Sequence, residues 1–232
     1  MTLKQAIKCW LWQHFRERIL VRKGLRSLDV MQDEAFLDLF FDLYVSERRC
    51  ILSLREKYNI YRLVGLVQDT PGALAEVGVF QGGSARVMCE ANTNGKDLHL
   101  FDTFEGMPET DRERDRVGAG VCAGTSLEDV QAYLQDYPFV DCHKGCFPDS
   151  VSGLPDDCRE FAFVHLDVDI YRSTLDGLRF FYPRMSRGGM ILSHDYRSTG
   201  LPGVRRAFDE FMADKPEPVV PLWDSQGLVV KM

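Results

Sequence analysis

The sequence predicts a doubly wound α/β fold, a mostly parallel sheet with an N-terminal helical extension. Three observations carry this reading. From Met31 to Val64 there is no glycine or proline, and apolar residues recur at helical spacing. After Thr70-Pro71-Gly72 the pattern changes to short apolar runs alternating with helical segments. The residues that end those runs are acidic or glycine-rich, and in open α/β sheets ligands bind beyond the carboxyl ends of the strands.

The helical part rests on Phe36, Leu39, Phe40 and Leu43, then Ile51, Leu54, Tyr58 and Tyr61, which predict two or three helices before residue 68. The strand runs are Leu74 to Val79, Leu98 to Asp102, Phe139 to His143, Phe161 to Val168, Met190 to His194 and Leu228 to Lys231. Between them, helices are expected at 83–93, 126–136, 171–182 and 202–214, a repeated strand, helix, strand rhythm. This divides the chain into a helical extension, 1–69, and an α/β domain, 70–232. Glu105 to Gly124, rich in charge and glycine, directly follows a strand end and is expected to be a lid over a site.

Composition narrows the function classes. A chain of 232 residues with 45% hydrophobic and 27% charged residues buries a substantial core, which excludes disorder, collagen and a disulfide-stapled miniprotein. The longest apolar candidate for a membrane span, Ala35 to Val45, is interrupted by Asp38 and Asp42, so no integral membrane protein is expected. Seven cysteines, an odd number with no CxxC pair and no signal peptide ahead of them, predict reduced thiols and a cytoplasmic location. The net charge of −7 argues against nucleic acid as a partner. Residues 1–28 carry Lys4, Lys8, Arg16, Arg18, Arg22, Lys23 and Arg26 against Glu17, a local +6. With Trp10, Leu11, Phe15, Ile19 and Leu20 interleaved, they predict a basic amphipathic helix covering the main domain; a membrane surface or a partner subunit are the other readings.

The chemistry-bearing residues lie at the run ends. The first run leads through Glu76, Gly78, Gly82, Gly83 and Ser84 into a helix, a turn that lets backbone approach a ligand at a helix N-terminus. It is neither a P-loop nor GxGxxG. Asp102 ends the second run 19 residues beyond Gly83, where an acidic side chain typically accepts hydrogen bonds from ribose hydroxyls. NAD and S-adenosylmethionine (SAM) both fit this pair. Asp167 and Asp169, at i and i+2, end the fourth run, and His194-Asp195 ends the fifth. Adjacent strands are about 4.8 Å apart, so these acids would converge, and a divalent cation on Asp167 and Asp195 would compensate their charge. The plain alternative is that Asp167 or Asp169 caps the helix near Tyr171 or pairs with Arg172. His99 and His165 are expected as packed strand residues. Cys142, His143 and Cys146 have poor spacing for a metal knot, and no GxSxG elbow is present.

Ala75 to Ser84, Phe101 to Pro108, Lys144 to Ser150, Leu166 to Tyr171 and Gly188 to Tyr196 together resemble the macrocin O-methyltransferase family (the TylF, MycF and NovP enzymes). The resemblance covers roughly residues 70–215. It implies a class I SAM-methyltransferase fold, SAM as cofactor, and methyl transfer to a sugar hydroxyl of a natural-product glycoside or related secondary metabolite, as in antibiotic biosynthesis. It also implies a helical N-terminal part that supports a homo-oligomer, dimer or tetramer, and helps close the site. By this resemblance Glu76, Gly78 and Ser84 line the methionine and ribose part of SAM, with Gly82, Gly83 and Thr103 also in the cofactor site. Asp102 takes the ribose hydroxyls, Gly145, Cys146 and Phe147 flank the adenine, and Asp167 borders the cofactor. Asp167 and Asp195 bind Mg²⁺, and Asp169 is the general base. The family's Asp-Asp-Tyr is His194-Asp195-Tyr196 here, so an imidazole stands where a carboxylate ligand is expected, a softer set that suits Mn²⁺ as well. Two other classes remain. An NAD-linked oxidoreductase leaves the acids at 167, 169 and 195 unexplained, and a non-catalytic partner-binding member would keep SAM affinity without turnover.

Overall fold

The computed structural model describes residues 2–22, 29–46, 48, 50–155 and 158–232, with backbone only for residues 17, 18 and 20–22. Lys23 and Arg26, and the side chains of Glu17, Arg18, Leu20 and Arg22, therefore lie outside the described part of the basic N-terminus. Three helices come first: α1 (Leu3–Arg22), α2 (Glu34–Val45) and α3 (Leu54–Leu66). Asp33 starts α2 by accepting from the Phe36 amide. Ser53 and Glu56 start α3 with a reciprocal capping box, which satisfies two of the helix's orphan donors.

The rest alternates as expected up to α7, and the short strand β6 is an addition to the six expected: β1 (Ala73–Val77), α4 (Gly83–Ala91), β2 (Leu98–Asp102), α5 (Leu127–Tyr133), β3 (Val140–Lys144), β4 (Phe161–Leu166), α6 (Tyr171–Phe181), β5 (Met185–Ser193), α7 (Pro202–Met212), β6 (Val220–Pro221) and β7 (Gly227–Val230). The sheet order is β3-β2-β1-β4-β5-β7-β6. Five strands are parallel, and β7 runs antiparallel to β5 and β6. The chain reverses direction in strand order at β1/β4, so the carboxyl ends of β1 and β4 flank the crevice where such sheets bind ligands.

Apolar side chains leave the sheet on both faces. Leu74, Leu98, Leu100 and Phe163 pack with α2, α3 and α4, while Val77, Phe101, Val164 and Leu166 pack with Leu178 and Phe181 of α6 and Phe208 of α7. Burying each such side chain stabilises the fold by roughly 1.5–3 kcal/mol.

The α1 reading needs a correction. The aromatic residue that docks is Trp12, 6% exposed and stacked on Phe41 at 5.0 Å, because this helix register turns position 12 toward α2. Trp10, Leu11 and Phe15 are exposed, in one row with Leu3 and Ile7. No two cysteines form a disulfide among the described residues, and no described helix is long and apolar enough to cross a membrane.

Candidate active site

The carboxyl ends of β1, β2, β4 and β5 open into one cavity of about 330 Å³, inside the roughly 300–1,000 Å³ range of small-molecule sites. Gly78, Gly83, Ser84, Asp102, Thr103, Gly145, Cys146, Phe147, Asp167, Asp169, His194 and Asp195 all line it. Two expected lining residues do not. Glu76 is fully buried one position before the end of β1, where the register sets it beside His165, whose Nδ1 lies 2.8 Å from its Oε1. Burial pushes its carboxyl pKa up. Gly82 turns away, packed near Tyr133 and Val130 of α5 at φ +80, a left-handed conformation that glycine adopts without strain. Gly78 is needed more severely, since a Cβ there would stand 1.8 Å from the Asp167 carbonyl oxygen.

Asp102 organises the turn after β1. Its Oδ2 accepts from the Val79 amide at 2.7 Å and the Phe80 amide at 2.9 Å, and Oδ1 from the Phe104 amide at 2.7 Å. A carboxylate offers about four lone-pair positions; the amides take three, and the fourth meets the Thr103 hydroxyl at 3.4 Å, whose proton goes to the Gly106 carbonyl at 2.7 Å, which leaves it for a ligand.

The ends of β4 and β5 bring the other acids together around an imidazole. His194 Nδ1 lies 2.8 Å from Asp167 Oδ1 and 3.0 Å from Asp195 Oδ2, while Nε2 lies 3.4 Å from Glu56 Oε2. Burial works to lower the His194 pKa, but these carboxylates raise it far above the usual imidazole range. Burial works to raise Asp167, and His194 holds it below its ordinary value. Burial, then the charges of Asp167 and Asp195, push Asp169 up to about 8. Asp169 also has φ 60, an uncommon conformation for a non-glycine residue and one that clusters at functional sites.

The plain alternatives for these acids are filled by other residues. Asp115 accepts from the Tyr171 amide at the start of α6, and Arg172 pairs with Asp176, so the β4 acids are free of both tasks. Asp115 belongs to the 105–124 segment, which has no helix or strand and folds over the site. Gly106, Met107, Pro108, Val121 and Cys122 line the cavity from it. The Met107 amide to Val121 oxygen bond (2.7 Å) and the Gly120 amide to Met107 oxygen bond (2.9 Å) pinch its two ends together.

Asp167, His194 and Asp195 also form a possible cation site, with one donor of each within 4.8 Å of the others. The Asp167 and Asp195 oxygens converge on His194 Nδ1, whose proton an ion would replace, and Glu56 faces the far imidazole nitrogen, the arrangement in which an outer carboxylate orients a ligating histidine. These residues fit a divalent cation.

Sequence reasoning missed Glu56, Cys50, Leu52, Ser173 and Leu201. Cys50 and Leu52 bring the segment before α3 into the cavity wall. The Ser-x-x-Glu capping signature marks Glu56 as a helix start but carries no sign of its reach to His194.

The sequence model of the macrocin-O-methyltransferase (TylF) family matches residues 58–221. A tetracenomycin 4'-O-methyltransferase of Streptomyces olivaceus that acts on a dimethoxy-rhamnosyl compound is 36% identical over 147 residues, 56% of this chain and 55% of that protein. The chain thus spans about half the length of that relative. The demethyldecarbamoylnovobiocin O-methyltransferase of Streptomyces niveus is 28% identical over 180 residues, 70% of this chain and 67% of that protein. Among solved structures, the O-methyltransferase NovP superposes with a TM-score of 0.69 at 24% identity, covering 79% of this chain and 82% of its own, which shows a shared fold.

Proposed function

The chain belongs to the macrocin O-methyltransferase family, and from that premise we propose that it transfers a methyl group from SAM to a hydroxyl oxygen on a sugar of a small-molecule glycoside. The observation that carries this reading is the single cavity lined both by Gly78, Asp102 and Phe147 and by Asp167, Asp169, His194 and Asp195. Both compared relatives are named for O-methylation, and one of them for a rhamnosyl compound.

When bound, SAM supplies an electrophilic methyl group, so the protein's task is alignment and removal of one proton. Asp102 offers its remaining lone pair to a ribose hydroxyl. Gly78, Gly83, Ser84 and Thr103 border the methionine and ribose, and Gly145, Cys146 and Phe147 the adenine. Phe147 is fixed for this by stacking on Phe181 at 5.5 Å. Asp169 takes the proton from the acceptor oxygen. Burial raises its affinity for a proton, which strengthens it as a base. Asp167, His194 and Asp195 hold Mg²⁺ or Mn²⁺, which when bound supplies positive charge that makes a nearby hydroxyl more acidic. The 105–124 segment excludes water from above. The exposed row Leu3, Ile7, Trp10, Leu11 and Phe15 supports the expected homo-oligomer, in which a second copy covers it.

Incubation with methyl-labelled SAM and a panel of deoxysugar glycosides, read by mass, tests this function. Labelled methyl ether and S-adenosylhomocysteine in equal amounts are expected. SAM binding with no methylated product across the panel would replace the enzyme with a non-catalytic binder.

A further inference from the structure

A second group of donors lies on the other side of the sheet order, at the edge pair β2 and β3. Their register sets His99 opposite Asp141 and Phe101 opposite His143. Side chains alternate along a strand, so Asp141 and His143 share one face at i and i+2, and His99 joins them from the neighbouring strand. His99 Nδ1 lies 3.1 Å from His143 Nε2, and Asp141 Oδ2 lies 3.5 Å from the same nitrogen. One donor of each residue is within 4.8 Å of the other two. We propose that His99, Asp141 and His143 form a cation site for zinc or a similar transition ion, separate from the acids of β4 and β5.

The spacing supports this. With Zn–N bonds of about 2.0–2.1 Å, the edge of a coordination tetrahedron is about 3.3–3.4 Å, between the two separations observed. Two imidazoles and one carboxylate suit zinc, whereas magnesium takes oxygen ligands and would find only one here. Both rings are positioned. His143 stacks on Phe101 with centroids 4.7 Å apart, and only a glycine at 153 lets the following turn approach, because a Cβ there would stand 2.8 Å from His143 Nδ1. Burial lowers the pKa of both imidazoles, and for His99 the neighbouring His143 adds to it, so lone pairs are available near neutral pH.

The cluster is open to solvent on one side. Asp141 is exposed, and beside it a recess lined by His143, Asp149, Ser150 and Gly153 opens to solvent. Water in the recess can complete the ion's coordination at the Asp141 edge. Without an ion, one imidazole donates its ring proton to the other. Binding shifts that proton to the opposite nitrogen of its own ring, so both imidazoles stay neutral and Asp141 supplies one negative charge.

The test is calorimetric titration of the metal-stripped full chain with Zn²⁺ alone, in the unaltered protein and in His194→Ala, which disables the other cluster. One ion per chain is expected to bind to His194→Ala. Adding either Asp141→Asn or His143→Gln should weaken that binding more than about a hundredfold, as loss of a direct ligand should exceed the 10–100-fold effects of outer contacts. Because Asp141 is exposed, its variant keeps the fold even if the histidine variants lose it, and in the unaltered protein Asp141→Asn should lower the number of bound ions by one. Co²⁺ should give the absorption of a four-coordinate ion that Asp141→Asn diminishes. Zinc uptake unchanged by Asp141→Asn in the unaltered protein, or no uptake by folded His194→Ala, would overturn the proposal.

Discussion

Glu56 Oε2 lies 3.4 Å from His194 Nε2, joining the helical N-terminal part to the end of β5. Glu56 is itself held by the Ser53 amide at 2.8 Å and the Ser225 hydroxyl at 2.5 Å. Burial would raise its pKa, but hydrogen bonds from His194, Ser225 and Ser53 hold it down to about 2, so it stays ionised. It orients the imidazole that faces Asp167 and Asp195. Glu56→Gln keeps the shape and the cap but loses the charge. Turnover should fall about 10–100-fold, the usual effect of removing an outer carboxylate, with SAM affinity unchanged. Steady-state kinetics beside calorimetry checks this, and equal losses in both would make Glu56 a general structural support.

Asp102→Ala should weaken SAM binding about tenfold to a hundredfold, since a hydrogen bond to a charged group contributes roughly 1.5–3 kcal/mol. The same substitution leaves the Val79, Phe80 and Phe104 amides without their acceptor. A lower melting temperature should therefore accompany the affinity loss. Unchanged affinity by calorimetry would limit Asp102 to holding the turn.

Exhaustive chelation should stop methyl transfer without releasing SAM, and Mg²⁺ or Mn²⁺ should each restore it. His194→Asp should shift preference toward Mg²⁺, because an all-oxygen set favours the harder ion. Full activity in chelated protein, with elemental analysis finding no metal, would confine Asp167 and Asp195 to holding the His194 imidazole.

Acid stability should depend on Glu217. Burial would raise its carboxyl, but hydrogen bonds from Tyr182, Lys231 and the Met232 amide bring it down to about 2. A lowered folded-state pKa contributes stability that is present above the unfolded value near 4.5 and is lost as pH falls through the folded one. Melting temperature should therefore drop between about pH 4.5 and 2, and Glu217→Gln should flatten that part of the profile. An identical profile in the variant would assign the acid sensitivity to other carboxylates.

The strands nearest the site were legible because local pattern decides them: Leu98 to Asp102 is both an apolar run and the observed β2. Strand β5 starts at Met185, five residues before the expected Met190: Ser186, Arg187, Gly188 and Gly189 interrupt the apolar run and form an irregularity, β4 pairing with Met185 and again from Met190. The family resemblance puts Glu76 in the cofactor wall, but pairing between β1 and β4 turns it inward onto His165. Glu56 and Asp115 reach β5 and α6 through contacts between distant parts of the chain, and no local period or motif encodes such a contact. The acids at 167, 169 and 195 were visible because strand ends in a parallel sheet converge at one edge.

The most direct test of the account is methyl transfer by Asp169→Asn compared with the unaltered protein, SAM affinity being measured on the same samples. The amide keeps the size of the side chain but cannot accept the acceptor's proton. The account predicts equal SAM affinity and a turnover loss of about 10²–10⁴, the usual contribution of a general base. Near-normal turnover in Asp169→Asn would contradict it and move the base to another group in the cavity.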